Sequence, residues 1–125
     1  MKKIVETKNA PAPIGPYSQA VLSGNTLYTS GQIAIDPITG RLIMESIEAE
    51  TKQVMENMKA VLTEAGMTFE HVIKSSIFIS DMDNFANINT VYNQYFSSDY
   101  PARETVEVAR LPKDVNVEIS MIAVK

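Results

Sequence analysis

The sequence predicts a two-layer α+β domain, with about six strands in a mixed sheet and two helices on one of its faces. Three observations predict it. Two stretches repeat apolar residues every three or four positions, and six short runs are β-prone. They follow in the order β-β-β-α-β-α-β-β, and no repeat, linker or low-complexity tract interrupts them, so one domain over residues 1–125 is expected.

Ile4 and Val5 signal a short first strand. "NAPAPIGPY" follows, where three prolines and a glycine deny helix geometry and remove donors. In "QAVLSGNTLYTSGQIAI" two β-prone runs flank Gly24-Asn25, a hairpin turn signal, and "DPITG" at Asp36–Gly40 is a second turn. The first helix is expected from Ile47 to Ala65. Ser46 can cap it, Glu48 and Glu50 suit the positive end of its dipole, and Gly66 suits a left-handed stop. Its stripe is Ile47, Val54, Met58, Val61, Leu62 and Ala65. "HVIKSSIFIS" reads as a strand. Asp83 is the expected cap of a second helix over Asn84–Ser97, with Phe85, Ile88, Tyr92, Tyr95 and Phe96 inward.

The chain ends in "YPARETVEVARLPKDVNVEIS", which reads as two strands turning at "RLPKD". Alternation sets Arg103, Thr105 and Glu107 on one side with Asn116, Glu118 and Ser120, and sets Val106, Val108, Val117 and Ile119 on the other. With the helices over one sheet face, the other carries Phe78, Ile122 and Val124 beside Lys74, Ser76, Glu118 and Ser120. That face is too apolar for water and too polar for a core, and it is expected to be a subunit interface.

Composition narrows the chemistry. The 125 residues carry a net charge of −4 and no basic run, which argues against a nucleic-acid partner held through phosphates. There is no cysteine and one histidine, so disulfides, thiolate or multi-histidine metal sites and a cysteine nucleophile are excluded. A hard-cation site built from carboxylates stays open, although no EF-hand spacing occurs. "YTSGQ" around Ser30 lacks the G-x-S-x-G elbow, His71 reads as a surface residue, and no phosphate-binding glycine pattern occurs. The two N-terminal lysines precede no apolar stretch, so neither a signal peptide nor a membrane anchor is expected, and the cytoplasm is the default location. What remains is an arginine and carboxylates on a strand pair. "YP" enforces an extended entry to Arg103, whose planar fork suits a carboxylate. Water, a protein partner or a ligand could each meet it.

"NAPAPIGPYSQA", "TSGQI" and "PARETVEVARLPKDVNVEI", in this order and spacing, resemble the Rid family, also called YjgF, and most closely its RidA branch of enamine/imine deaminases. "FANINTVYNQYF" resembles the second helix of that family, and the likeness spans essentially the whole chain. The resemblance implies a fold similar to chorismate mutase, a homotrimer with clefts between subunits, and no cofactor. It implies hydrolysis of 2-aminoacrylate and 2-aminocrotonate, released by PLP-dependent dehydratases, to 2-keto acids and ammonia. By motif, Arg103 would bind the substrate carboxylate, Glu118 would hold or activate water, and Tyr17 would close the cleft. Ser30, Gly31 and Asn89 would line the site. Thr105 stands where the family often has cysteine. A non-catalytic trimer binding small carboxylates as a regulator is the alternative. A ribonuclease or translation inhibitor fits the acidic charge least.

Overall fold

The computed structural model describes residues 1–125. Its elements are β1 (Lys2–Val5), β2 (Ala20–Ser23), β3 (Thr26–Thr29), α1 (Ile47–Glu64), β4 (Val72–Ile79), α2 (Phe85–Asn93), β5 (Ala102–Glu107) and β6 (Val117–Val124). The strands form one open mixed sheet in the order β1-β2-β3-β6-β4-β5. β4 and β5 run parallel, and every other neighbouring pair is antiparallel. The expected fold class, two helices over a six-stranded mixed sheet, is the one observed.

α1 forms where its stripe and caps predict. Ser46 Oγ accepts the Ala49 N–H at 3.0 Å, and Gly66, at φ 74°, ends the helix in a conformation that strains any side chain. Val54, Met55, Met58, Val61 and Leu62 are fully buried, in one cluster with Ile77, Ile79, Ile119 and Met121 of the sheet. Each such side chain stabilises the fold by roughly 1.5–3 kcal/mol before entropy is subtracted. The fully buried Glu50 accepts both the Asn116 N–H and its side-chain amide at 2.8 Å, which ties the helix to the entry of β6.

α2 departs from expectation at both ends. Asn84 already has helical angles, so it cannot take the extended conformation a cap needs. The capping carboxylate is Asp81, whose Oδ1 accepts the Asp83 N–H at 2.9 Å, and a short turn at Met82–Asn84 feeds the helix. The helix stops at Asn93 rather than Ser97. Beyond it, Tyr95 and Phe96 pack edge-on against Phe69, with ring centres 5.3 and 5.5 Å apart. That aromatic packing, rather than continued helix, buries the end of the stripe.

The terminal hairpin is not formed. β4 lies between β5 and β6 and pairs with both. Residues 108–116 are a crossing segment with its own small core of Leu111 and Val115 against Ile33, not a tight turn. The faces follow from the register. Ser75 aligns with both Arg103 and Met121, and Ile77 aligns with both Thr105 and Ile119, so Arg103 and Thr105 lie on the helix-covered face. Phe78 aligns with both Val106 and Glu118, so these two share the open face. The expected sharing of one side by Arg103 and Glu118, and of the other by Val106 and Val117, is thereby overturned. Inserting one strand between two others leaves each strand's alternation intact but resets which faces coincide. The open face carries Phe78, Ile122 and Val124 with Lys74, Ser76, Glu118 and Ser120, as predicted, and includes the Lys74–Glu104 ion pair at 2.9 Å.

Candidate functional site

The predicted site residues fall into two groups. The first surrounds Glu118. β3 ends at Thr29, and the chain continues through Ser30 and Gly31 to a bridge between Gln32 and Ile119. The Ser30 N–H donates to the Gln19 carbonyl at 2.9 Å and the Ser30 hydroxyl to the Ser18 carbonyl at 2.5 Å. This pins the chain beside the proline-rich loop. Tyr17 closes that loop, its phenol oxygen accepting the Ile14 N–H at 3.3 Å. Together Tyr17, Ser30, Gly31 and Glu118 line a pocket of about 330 Å³ whose apolar wall includes Ile33 and Ile35. Gly31 lies so close to the Glu118 side chain that an added Cβ would stand 2.7 Å from its carboxyl carbon.

Burial pushes the Glu118 carboxyl above the ordinary carboxylate range, and it belongs to neither ion pair of the fold. The sign of the linkage follows. A carboxyl with a raised folded-state pKa contributes its full stability below the ordinary pKa, about 4.3, and loses it as pH rises through the raised value. Glu118→Gln is therefore expected to melt at a higher temperature than the unmutated protein at pH 7. The gap should narrow toward pH 4 in paired thermal melts. A lower melting temperature at pH 7 would contradict the desolvation of Glu118.

The second group surrounds Arg103 on β5. Its Nη1 donates to Asn89 Oδ1 at 2.8 Å, across from α2. Its guanidinium carbon lies 5.0 Å from the centre of the Tyr92 ring and 5.8 Å from that of Phe85. Tyr92 is itself fixed by donating to Ser75 Oγ at 2.9 Å, and burial pushes its phenol up, so it stays neutral. No carboxylate of the chain pairs with Arg103. The arrangement holds a cation by one neutral acceptor and aromatic faces and leaves most of its N–H donors uncommitted. Thr105, two residues on, has a buried hydroxyl without a hydrogen-bond partner and shares a small cleft with Asn89 and Arg103.

The structure thus brings Tyr17, Ser30, Gly31 and Glu118 together, and separately Asn89, Arg103 and Thr105. Because Arg103 and Glu118 point from opposite sheet faces, one chain does not join the two groups. Sequence reasoning missed Gln19, Ile33, Ile35 and Pro112 at the pocket, and the role of Phe85 and Tyr92 as the aromatic cradle of Arg103. For the cradle a signal existed, since positions 85, 89 and 92 fall on one face of a helix. His71 supports the local fold, where its Nδ1 accepts the Thr68 N–H at 2.9 Å and closes a capping box. No cluster of three or more metal-ligating His, Cys, Asp or Glu side chains occurs, and no helix is long and apolar enough to cross a membrane.

Known proteins resemble this chain along its length. Residues 7–125 match the family model described as Endoribonuclease L-PSP. A RutC family protein of Pyrococcus horikoshii is 52% identical over 125 residues, covering 100% of this chain and 99% of that one. A Bos taurus protein named 2-iminobutanoate/2-iminopropanoate deaminase is 46% identical, covering 100% of this chain and 91% of its own. The crystal structure of Escherichia coli TdcF with bound serine superposes with a TM-score of 0.95 at 45% identity, covering 98% of each chain.

Proposed function

The chain belongs to the Endoribonuclease L-PSP family, the Rid or YjgF family, and from that membership we propose that it is a 2-iminobutanoate/2-iminopropanoate deaminase. Its substrates are the reactive enamine and imine forms of 2-aminoacrylate and 2-aminocrotonate, and its products are 2-keto acids and ammonia. The observation that carries the reading is Arg103, a guanidinium held by Asn89 and two aromatic rings with no carboxylate of its own chain to neutralise it. Such a fork is suited to the carboxylate common to every substrate of this class.

Because the Arg103 and Glu118 groups face opposite ways, the working site is formed between copies, in a homotrimer, with Arg103 of one subunit meeting the Glu118 pocket of the next. The open face, apolar but studded with polar side chains, supports such a contact. Arg103 clamps the substrate carboxylate, and the unpartnered Thr105 hydroxyl and Asn89 complete that end. Ser30 and Gly31 line the other end, and Tyr17 covers it.

The reaction then needs water and a proton shuttle. Water oxygen bonds to the imine carbon while Glu118 takes its proton, and the C=N electron pair becomes a nitrogen lone pair. Glu118 returns the proton to nitrogen. Glu118 then carries the carbinolamine hydroxyl proton to the same nitrogen, the oxygen electron pair forms C=O as the C–N bond breaks, and ammonia leaves. Burial raises the Glu118 carboxyl above the ordinary carboxylate range, which makes it a better base than an exposed carboxylate for taking and returning a proton. Orientation of the carboxylate against the water supplies the remaining acceleration. The family description names an endoribonuclease, but a net charge of −4 and no basic run argue against an RNA substrate for this chain.

The test is a coupled assay in which a PLP-dependent dehydratase generates 2-aminoacrylate. Added protein is expected to accelerate pyruvate release in proportion to its concentration. No acceleration, with 2-keto acid binding retained, would leave the non-catalytic carboxylate-binding reading in its place. Light scattering is expected to give the mass of three chains, and the mass of one would refute the shared site.

A further inference from the structure

We propose that Gln19 is the positioning residue of the pocket: its side-chain amide latches the proline-rich loop in place and so holds the wall that faces Glu118. The inference rests on the reading above for its kinetic consequence, and on geometry alone for the latch itself.

Pro11, Pro13 and Pro16 leave the Thr7–Tyr17 loop short of donors, while each of its residues still presents a carbonyl. Gln19 meets that deficit from outside. It is 2% exposed. Its Nε2 donates to the carbonyls of Thr7, Ala10 and Pro11 at 3.0, 3.3 and 2.8 Å, and its Oε1 accepts the Thr7 N–H at 2.7 Å. Its backbone carbonyl accepts the Ser30 N–H at 2.9 Å, so a single residue ties the loop to the Ser30–Gly31 segment as well.

Little else fixes the first arm of the loop. Ala10 is its one buried apolar side chain. The bonds made by Tyr17, to the Gly15 carbonyl and from the Ile14 N–H, stay within the loop. Pro11, Ala12, Ile14 and Tyr17 all line the pocket. Pro11 and its neighbour Ala12 lie on the arm that the Gln19 amide holds, so their position relative to Glu118 passes through that amide. A glutamate there would keep the Thr7 bond but set a carboxylate oxygen against three carbonyls, a repulsion that releases the arm.

The test compares Gln19→Glu and Gln19→Met with the unmutated protein. Gln19→Met keeps the bulk without a buried charge and serves if the charged variant does not fold. Two quantities are read at a temperature where circular dichroism shows each variant folded: kcat/KM in the dehydratase-coupled assay, and trypsin cleavage after the exposed Lys8 within the latched arm. The expected result is a fall of about tenfold or more in kcat/KM, together with a rise of similar order in cleavage at Lys8. Unchanged cleavage at Lys8 in a folded variant would overturn the latch. Faster cleavage or a lower melting temperature with unchanged kcat/KM would reduce Gln19 to fold support and overturn its positioning role. If the unmutated protein turns over no 2-imino acid, the proposed function falls, and cleavage at Lys8, which needs no substrate, decides the latch.

Discussion

Arg103→Ala is expected to remove both deamination and 2-keto acid binding while leaving the fold and the mass in solution unchanged. The side chain is only partly buried and makes one hydrogen bond, to Asn89, so its removal costs little stability. Its worth to a ligand is larger. A bidentate pair with a carboxylate is two charge-assisted hydrogen bonds, each contributing roughly 1.5–3 kcal/mol. Losing both corresponds to a fall of about 10²–10⁴ in kcat/KM. Arg103→Lys separates charge from geometry. The ammonium keeps the positive charge but loses the planar fork and its stacking on Tyr92 and Phe85. It is expected to recover binding only in part, still about tenfold or more below the unmutated protein. Kinetics on both variants, with titration of 2-ketobutyrate, makes the check. An Arg103→Ala protein that keeps activity within about tenfold would refute the carboxylate clamp.

The proposed clamp was legible in the sequence as an arginine, but not as a place. "YPAR" marked an extended arginine, and the Rid motifs named its company, yet alternation alone joined it to Glu118 on a hairpin that does not exist. Period-2 patterns say which residues share a face of one strand, and nothing about which strand lies next to it. The missing information was the centrality of β4, whose residues are at least half-buried on both faces along most of its length. Most elements governed by local chemistry were read correctly, the cap of α2 at Asp81 rather than Asp83 being the exception. Ser46 and Gly66 bound α1, Gly24 turns the β2–β3 hairpin at φ 61°, and Asp36 and Gly40 make their turn. Elements governed by distant contacts were not. The end of α2 depends on Phe69, and the fit of the proline-rich loop depends on Gln19. The separation of the site into two groups belongs to the same class, because it is a property of strand order.

Gly31→Ala is expected to slow deamination on the order of 10²-fold while changing stability little, and the reason lies in what the new methyl would meet. The Cβ would stand 2.7 Å from the carboxyl carbon of Glu118 and 2.9 Å from its Cγ, inside any normal contact distance. Gly31 is not among the glycines with positive φ, so its backbone tolerates alanine and only the space does not. The obstacle is a flexible side chain, and Glu118 can swing aside at small cost. Reduced freedom of the unfolded chain offsets part of that cost, by about 0.4–1 kcal/mol. The displaced carboxylate, however, no longer faces the pocket, and misplacing a proton carrier by an ångström costs on the order of 10²-fold in rate. Gly66→Ala is the contrasting control. At φ 74° its strain of about 1–2 kcal/mol falls on folding and should leave kcat/KM unchanged. A double-mutant cycle decides the mechanism. If Gly31 acts by making room for Glu118, then Gly31→Ala combined with Glu118→Gln is no slower than the slower single variant. Fully additive losses would instead mean that the methyl obstructs the substrate, and the role assigned to the Gly31–Glu118 contact would have to be withdrawn.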